Sequence, residues 1–428
     1  MLAARLAENG RTSILLNATP DFGLGVAYST SFEGHLLNVR SGRMSAVESG
    51  PDEFVHWLAV HRPEFSDPVD FAPRKLFGDY VRDRLAHVDA AHPGLIRCVV
   101  GRACAIKGQA LLLEDGRTFV ADAIVLATGN PAPSVMSGGG SGGSRIIENP
   151  WAAEALDRIC ENDSVLILGT GLTMVDVIQT LVARGWKGRA TALSRRGLLP
   201  RAHASRADQP ADLPPAALSG PISERLATAR ALVCAGGWRS VMEAYRPITA
   251  DLWMTASPDQ RSRLVRHLRP WWDVHRHRIA PRIALALETL KADRRLILLA
   301  GRLGKAEEGR DTIRVAWIPR GSSTPRSVDA CLGPPPLLTA AWLIDCTGPA
   351  HSAATDPLTA PLITEGRARL DPLRMGLDID GWGRVRHADG TADPSLLVLG
   401  PPARAAFWET IAVPDIRKRI EDMVVALG

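Results

Sequence analysis

The chain alternates between short unbroken apolar runs closed by glycine and longer stretches in which apolar residues recur at helical spacing. Met1 to Gly10 carries charge inside its apolar pattern and predicts the last turns of an amphipathic helix closed by Asn9-Gly10, followed by a strand from Thr12 to Leu16. A glycine-rich loop, Phe22 to Ser29, comes next, and a helix is expected from about Leu76 to Val88 after Phe71-Ala72-Pro73-Arg74. Arg97 to Val100, Gln109 to Glu114 and Thr118 to Asp122, with a turn at Asp115-Gly116, predict a small β-meander. It leads into a buried strand, Ala123 to Ala127, ending in Thr128-Gly129. The glycine-rich stretch 137–144 is expected to be a flexible surface loop.

The clearest signal lies between Ser164 and Arg201. Val165 to Leu168 is an apolar strand, Gly169-Thr170-Gly171 a turn, Leu172 to Ala183 a helical pattern, and a second strand ends at Ser194-Arg195-Arg196. Strand, glycine turn, helix and strand make the first half of a dinucleotide fold. Gly169 permits the tight turn, and Gly171 lets backbone approach a pyrophosphate at the positive end of the helix, beside Thr170, Leu172 and Thr173. Met174 stands where the third glycine of the usual fingerprint would be. An NAD site places a carboxylate at the end of the second strand, roughly 20 residues on, for the ribose 2′-hydroxyl. Two guanidiniums beside Ser194 suit a 2′-phosphate instead, which favours NADPH; a solvated turn is the plainer alternative.

From Ala202 to about Pro270 the chain is rich in Ala, Arg and helix formers with Pro-marked breaks, a helical insertion. Pro270 to Pro281 then concentrates Trp271, Trp272, Asp273, His275, Arg276, His277 and Arg278. His275 and His277 are two apart and diverge on a helix, so they make no metal pair. The cluster reads equally as capping and packing or as a substrate-recognition surface. Strands are expected at Leu296 to Leu299 and Thr312 to Trp317, and Ala341 to Pro349 repeats the apolar strand closed by Thr-Gly. Ser395 to Pro401 follows, and Trp408 to Arg417 opens a last helix whose first turn suits Pro414.

Length sets a prior of two or three domains for 428 residues, and 46% hydrophobic with 23% charged residues is an ordinary globular balance. A net charge of +5 with scattered Arg argues against a nucleic-acid surface. No apolar run reaches membrane-spanning length, and the N-terminus has no signal-peptide pattern. The six cysteines have no C-x-x-C pair, so neither zinc nor a disulfide framework is indicated; reduced, partly buried thiols in a cytoplasmic protein are expected. Nothing forms a nucleophile elbow or a metal-ligand cluster, and no catalytic side chain is singled out.

Taken together, LLNVRSGRMSA (36–46), FAPRKLFGDYV (71–81), VLATGNPAP (125–133), VLILGTGLTMVDV (165–177), ALSRRGLLPRAH (192–203), WWDVHRHRIAP (271–281), DCTGP (345–349) and FWETIAVPDIR (407–417) resemble the FAD/NAD(P)-binding flavoprotein family. That family is similar to two-dinucleotide-domain oxidoreductases and N-hydroxylating flavin monooxygenases. The resemblance implies an α/β protein with two Rossmann-like dinucleotide-binding domains, small β-meanders and the helical insertion. The first part of an FAD domain would occupy 1–150, an NADPH domain 151–344 with the insertion at about 205–290, and the rest of the FAD domain 345–428. Asn17, Gly25, Asn38, Met44, Thr128, Gly129, Gly400, Trp408, Ala412 and Val413 would line FAD.

NADPH would reduce FAD, and the electrons would pass to O₂, oxygenating a small molecule. Arg40, Arg43, His275 and His277 are candidates for holding an anionic substrate. A sheet domain opening on a helix stub and a strand is expected to lack its first strand and glycine turn, through truncation or loss. That motivates an alternative, a non-catalytic nucleotide-binding protein of the same fold that binds FAD poorly.

Overall fold

The computed structural model describes residues 1–130, 144–321, 337–348 and 352–428. The expected 137–144 loop lies outside these residues except for Ser144, as do Cys331 and Pro349. The chain divides into two compact units. One comprises Met1–Pro131, Arg206–His267 and His351–Gly428; the other comprises Ala132–Ser205 and Leu268–Ala350.

The second unit is built on one sheet of seven strands. In spatial order they are Leu337–Ala340, Ile313–Pro319, Leu296–Glu308, Ala190–Ser194, Val165–Leu168, Trp342–Asp345 and Ile146–Ile147. The last five pair in parallel, and the first two join as an antiparallel edge. Val165, Leu166, Ile167 and Leu168 are each at most 4% exposed, as a strand covered on both faces must be, which is why the run shows no alternation. Each such side chain contributes roughly 1.5–3 kcal/mol by leaving water. The 13-residue strand Leu296–Glu308 is longer than its sequence pattern suggests. Its first part, Leu296 to Ala300, pairs with Ala190–Ser194, and from Gly301 it pairs with Ile313–Pro319 on both sides of a bulge between Leu303 and Ala306.

In the first unit Ser13–Asn17 pairs in parallel with Ile96–Val100, and Ile124–Leu126 pairs in parallel with Ala392–Val398, which is antiparallel to Arg384–Arg386. The β-meander differs from expectation. Its strands are Ala103–Lys107, Ala110–Leu113 and Thr118–Val120, while 96–100 leaves it to partner the first strand. Small residues at Ala103, Cys104 and Ala105 hide the extra strand from an apolar pattern. The Arg74–Ala91 helix packs Phe77 and Tyr80 against Phe54 at ring separations of 5.3 and 5.2 Å. Tyr80 Oη accepts the Ala46 N–H at 3.0 Å, and burial pushes its pKa up to about 12.

The insertion supplies the helices Ile222–Gly236, Trp238–Tyr245, Thr249–Met254 and Pro258–Arg263, and these group with the first unit rather than with the 151–344 segment that encloses them in sequence. The anchor is Trp253, 4% exposed, whose Nε1 donates to the Ala405 carbonyl at 2.8 Å and whose ring lies 4.5 Å from that of Trp408. Four of the described cysteines, Cys98, Cys104, Cys160 and Cys234, are exposed free thiols rather than partly buried ones, and only Cys346 is buried. No described helix is long and apolar enough to cross a membrane.

Replacing Trp253 by alanine removes a buried indole and its hydrogen bond, and should lower the stability of the first unit by about 3–5 kcal/mol. Urea unfolding read by circular dichroism checks this; an unchanged midpoint would show that the insertion is not anchored there.

Candidate functional site

In the second unit the Val165–Leu168 strand lies between the next strand in sequence, Ala190–Ser194, and the much later Trp342–Asp345, so the strand order reverses there. Ligands of open parallel sheets settle beyond the carboxyl ends of strands at such a reversal. Gly169 occupies that point with φ +97°, and a Cβ on it would stand 2.4 Å from the Cys346 carbonyl oxygen, so only glycine fits. Gly171 has nothing within 4 Å of its would-be Cβ and precedes the Leu172–Ala183 helix, which has no side-chain cap. Uncapped N–H groups at the positive helix end, with open space beside Gly171, make a cradle that a phosphate fits. Met174, at the third-glycine position, is fully buried in the core, where its side chain fills the space between helix and sheet.

Thr170 and Ser194 act on the protein itself. Thr170 Oγ1 lies 2.8 Å from Ser194 Oγ and donates to the Leu198 carbonyl at 2.6 Å, while Ser194 Oγ accepts the Gly197 N–H at 2.9 Å. The glycine turn and the turn after the second strand are thereby tied together. Arg195 projects from this fixed turn, exposed and with no ion pair or hydrogen bond to another described side chain. Arg196 is half-buried, its guanidinium 5.9 Å from the Trp271 ring centroid.

In the first unit the residues proposed to line FAD fall into two groups. Met44 and Val413 come together, but as core: both are almost fully buried in one cluster with Phe54, Phe77 and Tyr80. Asn17 spends its amide N–H groups on Thr19 and Asp21, shaping its own loop, and Gly25 begins a one-turn helix with φ +56°. Asn38 is half-buried, Thr128 exposed, and Gly129 turns the chain with φ +71°. Gly400, buried at φ +76°, has open space where a Cβ would be. From Gly400 the chain runs through Trp408 to Ala412, which precedes the uncapped Val413–Ala426 helix. Thr410 Oγ1 is buried there and meets no hydrogen-bond partner among the described residues. An open helix terminus, a glycine without a filled Cβ position and an orphaned hydroxyl fit the polar edge of a flavin.

The four candidate anion-binding residues have protein partners. Arg40 is buried over Phe71 and donates to the Val69 carbonyl, fastening 36–46 to 68–73, so burial removes it from the surface a substrate could reach. Arg43 pairs with Glu243 of the insertion at 3.0 Å, an exposed bridge worth at most about 1 kcal/mol. His275 Nδ1 lies 2.7 Å from the Trp271 carbonyl oxygen, and Arg278 Nε donates to the His275 carbonyl at 2.8 Å. His277 closes the Arg269–Arg276 helix, its N–H donating to the Asp273 carbonyl. Arg40 and Arg43 belong to the first unit, His275 and His277 to the second. Among the described residues no group of three or more His, Cys, Asp or Glu side chains is placed to hold a metal ion.

Two residues that sequence reasoning did not assign stand out. Asp345, 2% exposed, accepts from Thr347 N and Oγ1 at 2.8 and 2.7 Å and shapes the second Thr-Gly turn. Thr410 is the other; its place just ahead of the last helix was the available signal.

Residues 1–131 match the FAD-NAD(P)-binding family. No curated protein matches the chain by sequence. Among solved structures, the ornithine hydroxylase PvdA of Pseudomonas aeruginosa aligns with 100% of this chain and 95% of its own at 17% identity and a TM-score of 0.63. The L-lysine 6-monooxygenase of Pseudomonas syringae gives the same coverages and identity with a TM-score of 0.65. DfoA, the FAD-bound cadaverine monooxygenase of Erwinia amylovora, aligns with 100% of this chain and 91% of its own at 12% identity and 0.66. The chain thus has the α/β fold of these flavin monooxygenases.

Gly169→Ala should cost more than about 2 kcal/mol through left-handed strain and the clash with Cys346, whereas Gly171→Ala should leave stability within about 0.5 kcal/mol. Thermal melts of the two variants separate these outcomes, and equal losses would contradict the assigned geometry. Burial first, then the Arg201 and Arg278 guanidiniums, hold the His275 pKa below its usual 6.5, against the opposing hydrogen bond to Trp271. The unfolded chain therefore takes up the proton first as pH falls, and this contribution to stability is lost below about pH 6.5. A His275 NMR titration midpoint below 6.5 that rises in Arg201→Gln is the expected result.

Proposed function

We propose that this protein is an NADPH-using, FAD-dependent oxidoreductase, and specifically a monooxygenase acting on a small molecule. The observation that carries the proposal is the cradle of the second unit: an uncapped helix start beside Gly171, open space above it, and two arginines on a turn locked to the glycine loop. The match of residues 1–131 to an FAD-NAD(P)-binding family and the shared fold with ornithine, lysine and cadaverine monooxygenases support it.

When bound, FAD would supply the redox chemistry, hydride acceptance from NADPH and electron delivery to O₂. The protein's own residues bind and orient. N–H groups at 170–173 would hold the NADPH pyrophosphate, and Arg195 and Arg196 its 2′-phosphate, with Ser194 fixing the turn that aims them. The uncapped start of the Val413–Ala426 helix would favour negative charge on a flavin held there, and Thr410 Oγ1 would offer it a hydrogen bond. Asn17, Gly25 and Gly129 contribute at the adenosine and phosphate end. Met44 acts from behind, as core.

Purified protein should be yellow or become so on reconstitution with FAD, and should oxidise NADPH in air. Arg195→Gln and Arg196→Gln should each reduce kcat/KM for NADPH about 10- to 100-fold while leaving NADH use nearly unchanged, since a hydrogen bond to a charged group contributes about 1.5–3 kcal/mol. A colourless protein that takes up no flavin would favour the non-catalytic alternative, and a preference for NADH would overturn the role of the arginines.

A further inference from the structure

We infer that Trp271 is a positioning residue for recognition of the 2′-phosphate, acting through the guanidinium of Arg196 that lies over its ring. The inference rests on NADPH binding in the second unit and names what distinguishes it there from NADH.

The two partners come from separate parts of the unit and both are held. Arg196 sits on the turn closed by Thr170, Ser194, Gly197 and Leu198. Trp271 sits on the Arg269–Arg276 helix, and that helix is stitched to the stretch following the turn. Arg201 N–H donates to the Val274 carbonyl at 2.8 Å, Ile279 N–H to the Arg201 carbonyl at 3.0 Å, and His203 N–H to the Ile279 carbonyl at 3.0 Å. His275 Nδ1 closes on the carbonyl of Trp271 itself. The backbone segments that carry the two side chains are therefore tied together, and the guanidinium lies 5.9 Å from the ring centroid.

A guanidinium lying over an aromatic face keeps its N–H donors in the plane of the fork, pointing away from the ring. That placement occupies the face and leaves the edge for an anion. It also removes rotamer freedom before the ligand arrives, so less is lost on binding. Trp271 is 39% exposed, enough to be reached from solvent beside the guanidinium. Arg195, exposed on the same turn, supplies the second cation. The consequence is selective: losing Trp271 weakens a ligand carrying a 2′-phosphate and spares one that lacks it.

The test uses the full chain and two probes that need no flavin, 2′,5′-ADP and 5′-AMP, titrated calorimetrically. Trp271→Ala should weaken 2′,5′-ADP about 3- to 10-fold, the range of a partly exposed cation–π contact, and leave 5′-AMP within about twofold. Trp271→Phe should restore most of the loss. Combining Trp271→Ala with Arg196→Ala should add little to Arg196→Ala alone. Equal losses on both probes would make Trp271 an adenine platform, and no loss on either would make it structural; each overturns the inference. If the unsubstituted protein binds the two probes equally, or neither, the NADPH reading fails and takes this inference with it. That result is distinguishable because it appears before any substitution.

Discussion

The approach of Gly169 to the Cys346 carbonyl is the constraint on which the second unit depends. Two neighbouring parallel strands end at the same level, and the Cys346 N–H donates to the Leu168 carbonyl at 2.7 Å. With no side chain between them, the chain leaving Leu168 turns at once into the Leu172–Ala183 helix, whose first N–H groups have no side-chain cap. The reversal of strand order, the start of the helix and the open ground above Gly171 are one local geometry. Ser194 and Thr170 extend it sideways and bring the second strand's exit turn under the same control.

Much of this unit was legible because doubly covered parallel strands write themselves as unbroken apolar runs and the glycine turn leaves a fixed spacing. Side-chain commitments were harder to read. Arg40 looks like a surface cation in sequence, but only when 68–73 folds back over it does its guanidinium become buried against Phe71. Met44 and Val413 sit in motif-bearing segments, yet it is the neighbouring backbone that can face a cofactor while these side chains point into the aromatic core. Ser194 behaves similarly, turning its hydroxyl inward to hold a turn.

The allegiance of the insertion was not legible at all, because sequence adjacency and spatial grouping part company at Arg206 and His267. Its helices carry a mixed pattern, and Ile222–Gly236 buries no residue fully, so no apolar face announces a destination. The information resides in long-range contacts, the Arg43–Glu243 pair, the packing of Ala250 and Met254 against the Phe407 cluster, and the meeting of two tryptophans separated by more than a third of the chain.

That meeting has a wider reach. Trp408 holds φ +62°, a left-handed conformation costing a bulky residue about 1–3 kcal/mol, and it does so with its ring tilted against that of Trp253 just after the Arg404–Phe407 helix. The insertion thereby helps dictate a backbone angle in a segment far away in sequence. In evolutionary terms it is not an interchangeable cassette: a chimera carrying the insertion of a relative would inherit, without a tryptophan to match, a relaxed backbone at Trp408.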